Sequence, residues 1–136
     1  MAGLLHLEVV TPNRLVVDDH VEAVIVPGED GELGILYNHT PLVAALTIGI
    51  MRYGQKNGPK KVVAITGGFV EVVDNKVTVL ADAAELAEEI DVLRAEAAKE
   101  RAERRLRRYS EGIDFDRAQL ALRRAINRLR AARGEK

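Results

Sequence analysis

Near residue 80 the chain changes both its period and its alphabet, and few folds accommodate such a change. Upstream, short apolar runs recur with a period close to two: LLHLEVV (4–10), VEAVIV (21–26), GILY (34–37), IGIMRY (48–53), KKVVAIT (60–66), GFVEVV (68–73) and KVTVLA (76–81). Valine and isoleucine dominate these runs, as a pleated, half-buried surface prefers. TPNR, PGEDGE, QKNGPK and VDNK place glycine, proline and asparagine between them, where the chain must reverse. Many short strands at this spacing predict an antiparallel sandwich or barrel.

After Leu80 valine nearly vanishes, alanine, arginine and glutamate take over, and neither glycine nor proline returns until Gly112. This is a helical composition. Asp82 with Glu85 resembles a capping box, but Asp91 is the favoured N-cap of a helix that starts after a linker. Gly112 breaks the run and Asp114 offers a fresh cap. Phe115, Ala118, Leu122, Ala125, Leu129 and Ala132 then repeat at steps of three and four. The facing stripe expected on the first helix is Leu93, Ala97, Ala98, Ala102 and Leu106. The predicted fold is therefore mixed: an N-terminal antiparallel β-sandwich over 1–84, then a two-helix antiparallel hairpin over 85–136. Its alanine-rich seam buries little apolar area at about 25 cal/mol per Å², so the hairpin should open easily.

A chain of 136 residues has room for two small modules, and its charge divides in the same place. Residues 1–84 carry 6 basic and 10 acidic side chains, residues 85–136 carry 14 and 11. Such asymmetry suggests different partners for the two parts. The absence of cysteine removes disulfides, thiolate catalysis and cysteine metal sites. MAGLLHLEVV lacks a basic leader, and no apolar stretch is long enough to span a bilayer, which predicts a soluble protein on the cytoplasmic side.

Several apparent motifs fail on chemistry. GEDGELG places Glu29, Asp30 and Glu32 where a phosphate would approach, so it reads as a tight turn whose exposed acids could meet a protein. GIMRYGQK has its lysine one residue late and no following Ser or Thr. His6, His20 and His39 have no metal-ligand spacing; His6 is placed on a strand, His20 at a turn, and His39 near a proline-marked turn with a local hydrogen bond or a partner. Gly67 and Gly68 in TGGFVEV read as a bulge or a close approach. No nucleophile and base stand out, and no metal is required.

The arginines resist dismissal. Glu100 with Arg104 and Glu103 with Arg107 are ordinary i,i+4 pairs, yet between Arg117 and Arg133 the second helix contains no acid, leaving Arg123, Arg124, Arg128 and Arg130 without intrahelical partners of opposite charge. Folding the hairpin about residue 111 or 112 brings Arg94 level with Arg128 and Arg101 level with Arg124. Four guanidiniums that converge would clamp a polyphosphate, which arginine meets with a planar fork. On the residues alone a solvated face is the favoured reading. A nucleic-acid role is disfavoured by acids interleaved through 96–103 and by only three tyrosines and two phenylalanines. A plain adaptor without a ligand is the other reading.

GELGILYNHTPLV (31–43), TGGFVEV (66–72) and IDVLRA (90–95), in this order and followed by an arginine- and alanine-rich hairpin, resemble the epsilon subunit family of bacterial F-type ATP synthase. The resemblance spans essentially the whole chain. It implies a ten-stranded sandwich that touches the gamma subunit and the c-ring, and a mobile hairpin that either lies folded or extends into the alpha-beta hexamer and inhibits ATP hydrolysis. It implies a non-catalytic rotor subunit, peripheral on the cytoplasmic face of the bacterial membrane, with no direct membrane insertion and no nucleic acid. Members with the I-D-x-x-R-A pattern bind ATP as a regulatory ligand. By that likeness Glu85, Ile90, Asp91 and Ala95 would surround the adenosine, and Arg94, Arg101, Arg124 and Arg128 would face the phosphates. The c-ring contact falls on Glu29, Gly31 and Glu32, and the inhibitory contact to the beta subunit on Arg123, Arg124, Arg128 and Arg130. Asn38 stands where many members have glycine, and asparagine tolerates the positive φ such a turn requires.

Overall fold

The computed structural model describes residues 3–108 and 115–134, so the expected break at Gly112 and cap at Asp114 lie outside the described residues. The chain divides into two compact units, Met1–Leu86 and Ala87–Lys136.

The first unit holds eight strands: β1 (Leu5–Val10), β2 (Leu15–Val21), β3 (Ala23–Gly28), β4 (Gly31–Leu36), β5 (Leu42–Gly54), β6 (Lys60–Val73), β7 (Lys76–Ala81) and β8 (Ala84–Leu86). Their order is β2-β1-β7-β6-β5-β3-β4, with β8 also paired to β6. All pairings are antiparallel except β1 with β7. The two longest strands, β5 and β6, each run through both layers of the sandwich. Counted once per layer, eight strands become the ten that the family resemblance implies.

The burial pattern shows where the layers meet. In β6 Val63 and Ile65 face the core, but beyond Gly67 and Gly68 the core residues are Val70 and Val72. In β5 Leu46 precedes the change and Met51 and Tyr53 follow it, while Val77, Val79 and Ala81 of β7 give way to Ala84 of β8. Each strand thus exchanges odd for even core positions along one line. There the β5–β6 ladder skips Thr47 and Gly67, and Asp82 and Ala83 separate β7 from β8. Since neighbouring residues in a strand point to opposite faces, this phase slip lets one continuous sheet fold over and still bury valine from both layers. Gly67 and Gly68 have φ of 72° and 119°. The expected bulge or close approach is real: a Cβ on Gly67 would lie 2.8 Å from Asp82 Oδ2, and one on Gly68 would overlap the Leu80 carbonyl.

Three turns follow the sequence reading. Glu29 and Asp30 form the two-residue tip between β3 and β4, with Gly28 opposite Gly31. Asn38 has φ of 63°, and its N–H donates to Asn75 Oδ1 at 2.6 Å while Asn75 Nδ2 donates back to Asn38 Oδ1 at 3.3 Å. His39 makes a local bond from Nδ1 to the Thr40 carbonyl at 2.7 Å. His20, expected at a turn, instead lies within β2, because LVVDDHV buries only Val17 and Val21 fully and its two acids hide the strand period.

The second unit begins with a 3-10 turn, Ala87–Glu89, followed by α1 (Val92–Arg107) and α2 (Phe115–Ala132). The two helices pack on one another. Ala95 and Ala102 are buried on α1, with Ala98 and Leu106 half-buried beside them. Leu93 is 79% exposed and Ala97 is also exposed, which corrects the stripe expected from sequence. At about 100° per residue they stand on the side of α1 opposite Ala95 and Ala102. On α2 the expected Ala118, Ala125 and Leu129 are buried, and so are Asn127 and Ala131 on a second flank. Phe115 is exposed. Counted along the sequence from residue 112, Ala95 comes level with Leu129, Ala102 with Leu122 and Leu106 with Ala118, so the count sets each large residue opposite a small one.

Gly68→Ala should destabilise the first unit by more than about 3 kcal/mol, since it adds both strain at positive φ and a clash with backbone. Gly34→Ala, where a Cβ meets nothing within 4 Å, should change stability by less than about 1 kcal/mol. Urea unfolding of the two variants checks the contrast.

Candidate functional site

The residues singled out on the second unit are held by a defined helix start. Asp91 is the N-cap of α1: it has extended backbone angles, and its Oδ1 accepts from the Arg94 N–H at 3.1 Å. Its carbonyl accepts from the Ala95 N–H at 3.0 Å, and Ile90 donates to the Ala87 carbonyl at 3.3 Å. Ile90 and Ala95 are buried. The alternative start at Asp82 and Glu85 is not used. Glu85 lies on β8 of the first unit, opposite Ala64, and is half-buried.

Helix periodicity sorts the arginines. Arg94 and Arg101 stand about 100–120° back from the buried stripe of α1, and Arg124 and Arg128 about 90–130° back from the Ala118–Leu129 stripe of α2. In an antiparallel pair, equal offsets of the same sense fall on the same side of the hairpin. These four arginines therefore share one side. Arg123 and Arg130 are offset about 110–130° in the other sense and fall on the opposite side. Arg94, Arg101 and Arg124 are exposed, whereas Arg128 is half-buried with its Nε enclosed. Sequence spacing found the four; it did not separate them from Arg123 and Arg130.

On the first unit, Glu29, Asp30, Gly31 and Glu32 are all exposed at the β3–β4 tip. Glu32 is tethered by Arg52, whose Nη2 lies 3.3 Å from its carboxylate. The outer face of the other layer carries a row that sequence reading missed. Ala45, Phe69, Leu80, Val10 and Leu15 come level across five adjacent strands, and Phe69, Leu80 and Leu15 are at least half exposed. The signal was present in GFVEVV, where apolar residues occupy both parities, but alternation assigns only one face to the core. On the same face Lys76 Nζ lies 2.7 Å from Glu8, and that carboxylate, by hydrogen bonding first and charge second, raises the ammonium above the usual lysine range. The associated stability is present at neutral pH and is lost only as pH rises through that raised value.

Residues 4–87 match the family model of the ATP synthase delta/epsilon chain beta-sandwich domain, and residues 88–133 match that of the delta/epsilon chain long alpha-helix domain. The chain belongs to the epsilon-chain family of ATP synthase. It is 57% identical over 126 residues to an ATP synthase epsilon chain of Syntrophomonas wolfei, covering 93% of this chain and 92% of the relative. It is 59% identical over 129 residues to one of Symbiobacterium thermophilum, covering 94% and 92%. Among solved structures, a chain in the OSCP/F1/c-ring structure of the Euglena gracilis mitochondrial ATP synthase superposes with a TM-score of 0.75 at 26% identity, over 90% of this chain and 78% of that one. A chain from the central stalk and c-ring of the Tetrahymena thermophila enzyme shares the fold, with a TM-score of 0.57 at 15% identity over 96% and 94%. Among the described residues of this family member, no helix is long and apolar enough to cross a membrane.

Within the family frame, Asp91 has a structural duty that any ligand role must be separated from. Asp91→Ala should lower the stability of the helical unit by about 1 kcal/mol, while Asp91→Asn, an equally good cap, should leave it within a few tenths. Helicity measured by circular dichroism during thermal unfolding of the full chain distinguishes the two.

Proposed function

We propose that this chain is a non-catalytic rotor subunit of the F-type ATP synthase, placed in the central stalk on the cytoplasmic side of the membrane between the catalytic hexamer and the c-ring. Its helical hairpin binds ATP when closed and restrains ATP hydrolysis when open. The observation that carries the regulatory part is the arrangement of α1 and α2: a capped helix start at Asp91 beside buried Ile90 and Ala95, and four arginines on one side of the hairpin. An apolar edge with a convergent cationic side suits a nucleotide polyphosphate, because guanidinium forks pair with phosphate oxygens and the neighbouring apolar residues can take the base.

Family membership and the two principal surfaces of the first unit support the assembly part. The exposed row through Phe69 and Leu80 is an apolar patch of the kind that marks a protein contact, and in this reading it docks the gamma subunit. The acidic tip at Glu29, Gly31 and Glu32 faces the c-ring. The two sides of the hairpin then divide the regulation. Arg94, Arg101, Arg124 and Arg128 serve the nucleotide, while Arg123 and Arg130, joined by Arg124 and Arg128 on opening, present an acid-free helix to the beta subunits.

Calorimetric titration of the full chain with ATP tests the closed state. Saturable binding without hydrolysis is expected, and Arg94→Ala or Arg124→Ala should weaken it roughly tenfold or more through loss of a charge-assisted contact. If both variants bind like the parent, the nucleotide site is wrong.

The open state is tested in the assembled complex. Arg123→Ala with Arg130→Ala should raise ATP hydrolysis at low ATP, yet leave ATP binding by the isolated chain within about twofold, because those side chains lie on the other side of the hairpin. Unchanged hydrolysis would place inhibition elsewhere.

A further inference from the structure

On the outer face that carries the apolar row, the strands β1 and β2 bring together residues that are far apart in sequence. His6 pairs with His20 and Glu8 with Asp18 in direct cross-strand register. Because alternate residues share a face, two imidazoles and two carboxylates form one block on the sheet. His6 Nε2 lies 2.7 Å from Asp18 Oδ1, and one ligand atom each from His6, Glu8 and Asp18 lie within 4.8 Å of one another. The His20 ring stacks on His6 with centroids 4.6 Å apart and planes 7° from parallel. That stack holds the imidazole against rotation away from the carboxylates.

We infer that His6, Glu8 and Asp18 form a binding site for a borderline divalent transition-metal ion of the zinc or cobalt class, with water completing the coordination. The chemistry selects the class: an imidazole nitrogen with two carboxylates suits zinc and its neighbours, whereas magnesium and calcium prefer oxygen alone. Metal–ligand bonds of about 2.0–2.2 Å place tetrahedral ligand atoms roughly 3.4 Å apart, so His6 Nε2 and Asp18 Oδ1, now 2.7 Å apart, must separate by about 0.7 Å, and no pair within the 4.8 Å cluster must close by more than about 1.4 Å. Glu8 and Asp18, like charges directly opposite each other, disfavour their own pairing and gain from any cation between them. Lys76 currently supplies one, with Nζ 2.7 Å from Glu8. It is the site's internal competitor. The sequence concealed this cluster because the ligands lie 12 residues apart at their widest, on strands whose pairing only the fold reveals.

The competitor makes the test directional. Full-length protein titrated with Co²⁺ should show one saturable site with the visible absorption of four-coordinate cobalt, displaced by Zn²⁺. His6→Gln and Asp18→Asn should each weaken binding by at least about 10–100-fold, the loss that even indirect changes around a metal cause. Lys76→Met should tighten it, since the ammonium no longer occupies the carboxylate, and His39→Ala should leave it unchanged. Absence of saturable binding, binding that His6→Gln and Asp18→Asn do not alter, or a Lys76→Met variant that binds no tighter than the parent overturns the assignment.

Discussion

The first unit depends on a sheet that turns over on itself, and the turn depends on two residues without side chains. At Gly67 and Gly68 the backbone takes positive φ and passes against Asp82 and the Leu80 carbonyl. Only there can β6 change which parity faces inward. The consequence reaches beyond packing. Once the parity changes, Val63, Ile65, Val70 and Val72 all enter one core, and the outer face of β6 beyond the glycines receives Phe69, Glu71 and Val73. The phase slip that closes the core thereby also creates the row from Phe69 to Leu80 that a partner can cover. Core and exposed apolar row are set by the same bend.

The helical unit is built on the opposite principle. Among the described residues its seam is made of Ala95, Ala102, Ala118 and Ala125, with Leu129 as a large side chain buried beside them. Alanine contributes little area per residue at about 25 cal/mol per Å², but it lets two helices approach closely and leaves their flanks to long cationic side chains. Those flanks then carry much of the unit's electrostatic character. In the proposed regulation, a seam that buries so little apolar area would leave the helix pair open to competition from a ligand or a partner.

How much of this was legible beforehand follows from which signals are local. Asp91 as a cap, the two-residue tip at Glu29 and Asp30, and the positive φ at Asn38 are decided within a few residues, and each was readable. The division into strands followed by helices was equally plain, because period and composition change together near Leu80. What escaped reading required knowledge of neighbours. β2 was missed because Asp18 and Asp19 interrupt its alternation: Asp18 lies on the outer face opposite Glu8, while Asp19 is exposed although it shares the parity of Val17 and Val21. Leu93 was assigned to the seam because leucine is the most apolar residue of α1, but hydrophobicity does not fix a helix's rotation, and Ala95 and Ala102 do. The four arginines of the nucleotide reading were found by counting from the hairpin's centre, whereas their separation from Arg123 and Arg130 needed the buried stripe as a reference direction. His6 and His20, fourteen positions apart, share no recognisable motif and meet only through the β1–β2 register.

Magnitudes constrain how the proposed regulation can operate. A ligand present at 100 times its dissociation constant favours the state it binds by about 2.7 kcal/mol, whereas moving an equilibrium from one extreme to the other requires about 5.5 kcal/mol. In the proposed regulation, ATP alone would therefore bias the hairpin and not command it. The remaining difference must come from the intrinsic balance of the alanine seam and from what the hexamer offers to the other side. This gives the thin seam a role: were Ala95 and Ala102 replaced by residues that packed as firmly as the sandwich core, the closed state would lie beyond reach of either influence. It also explains why cationic side chains should occupy both sides of the hairpin. A ligand that shifts an equilibrium must distinguish two states, and residues that serve one state only, as proposed for Arg94 and Arg101 in the closed form and for Arg123 and Arg130 in the open one, would give each partner its own purchase on the balance.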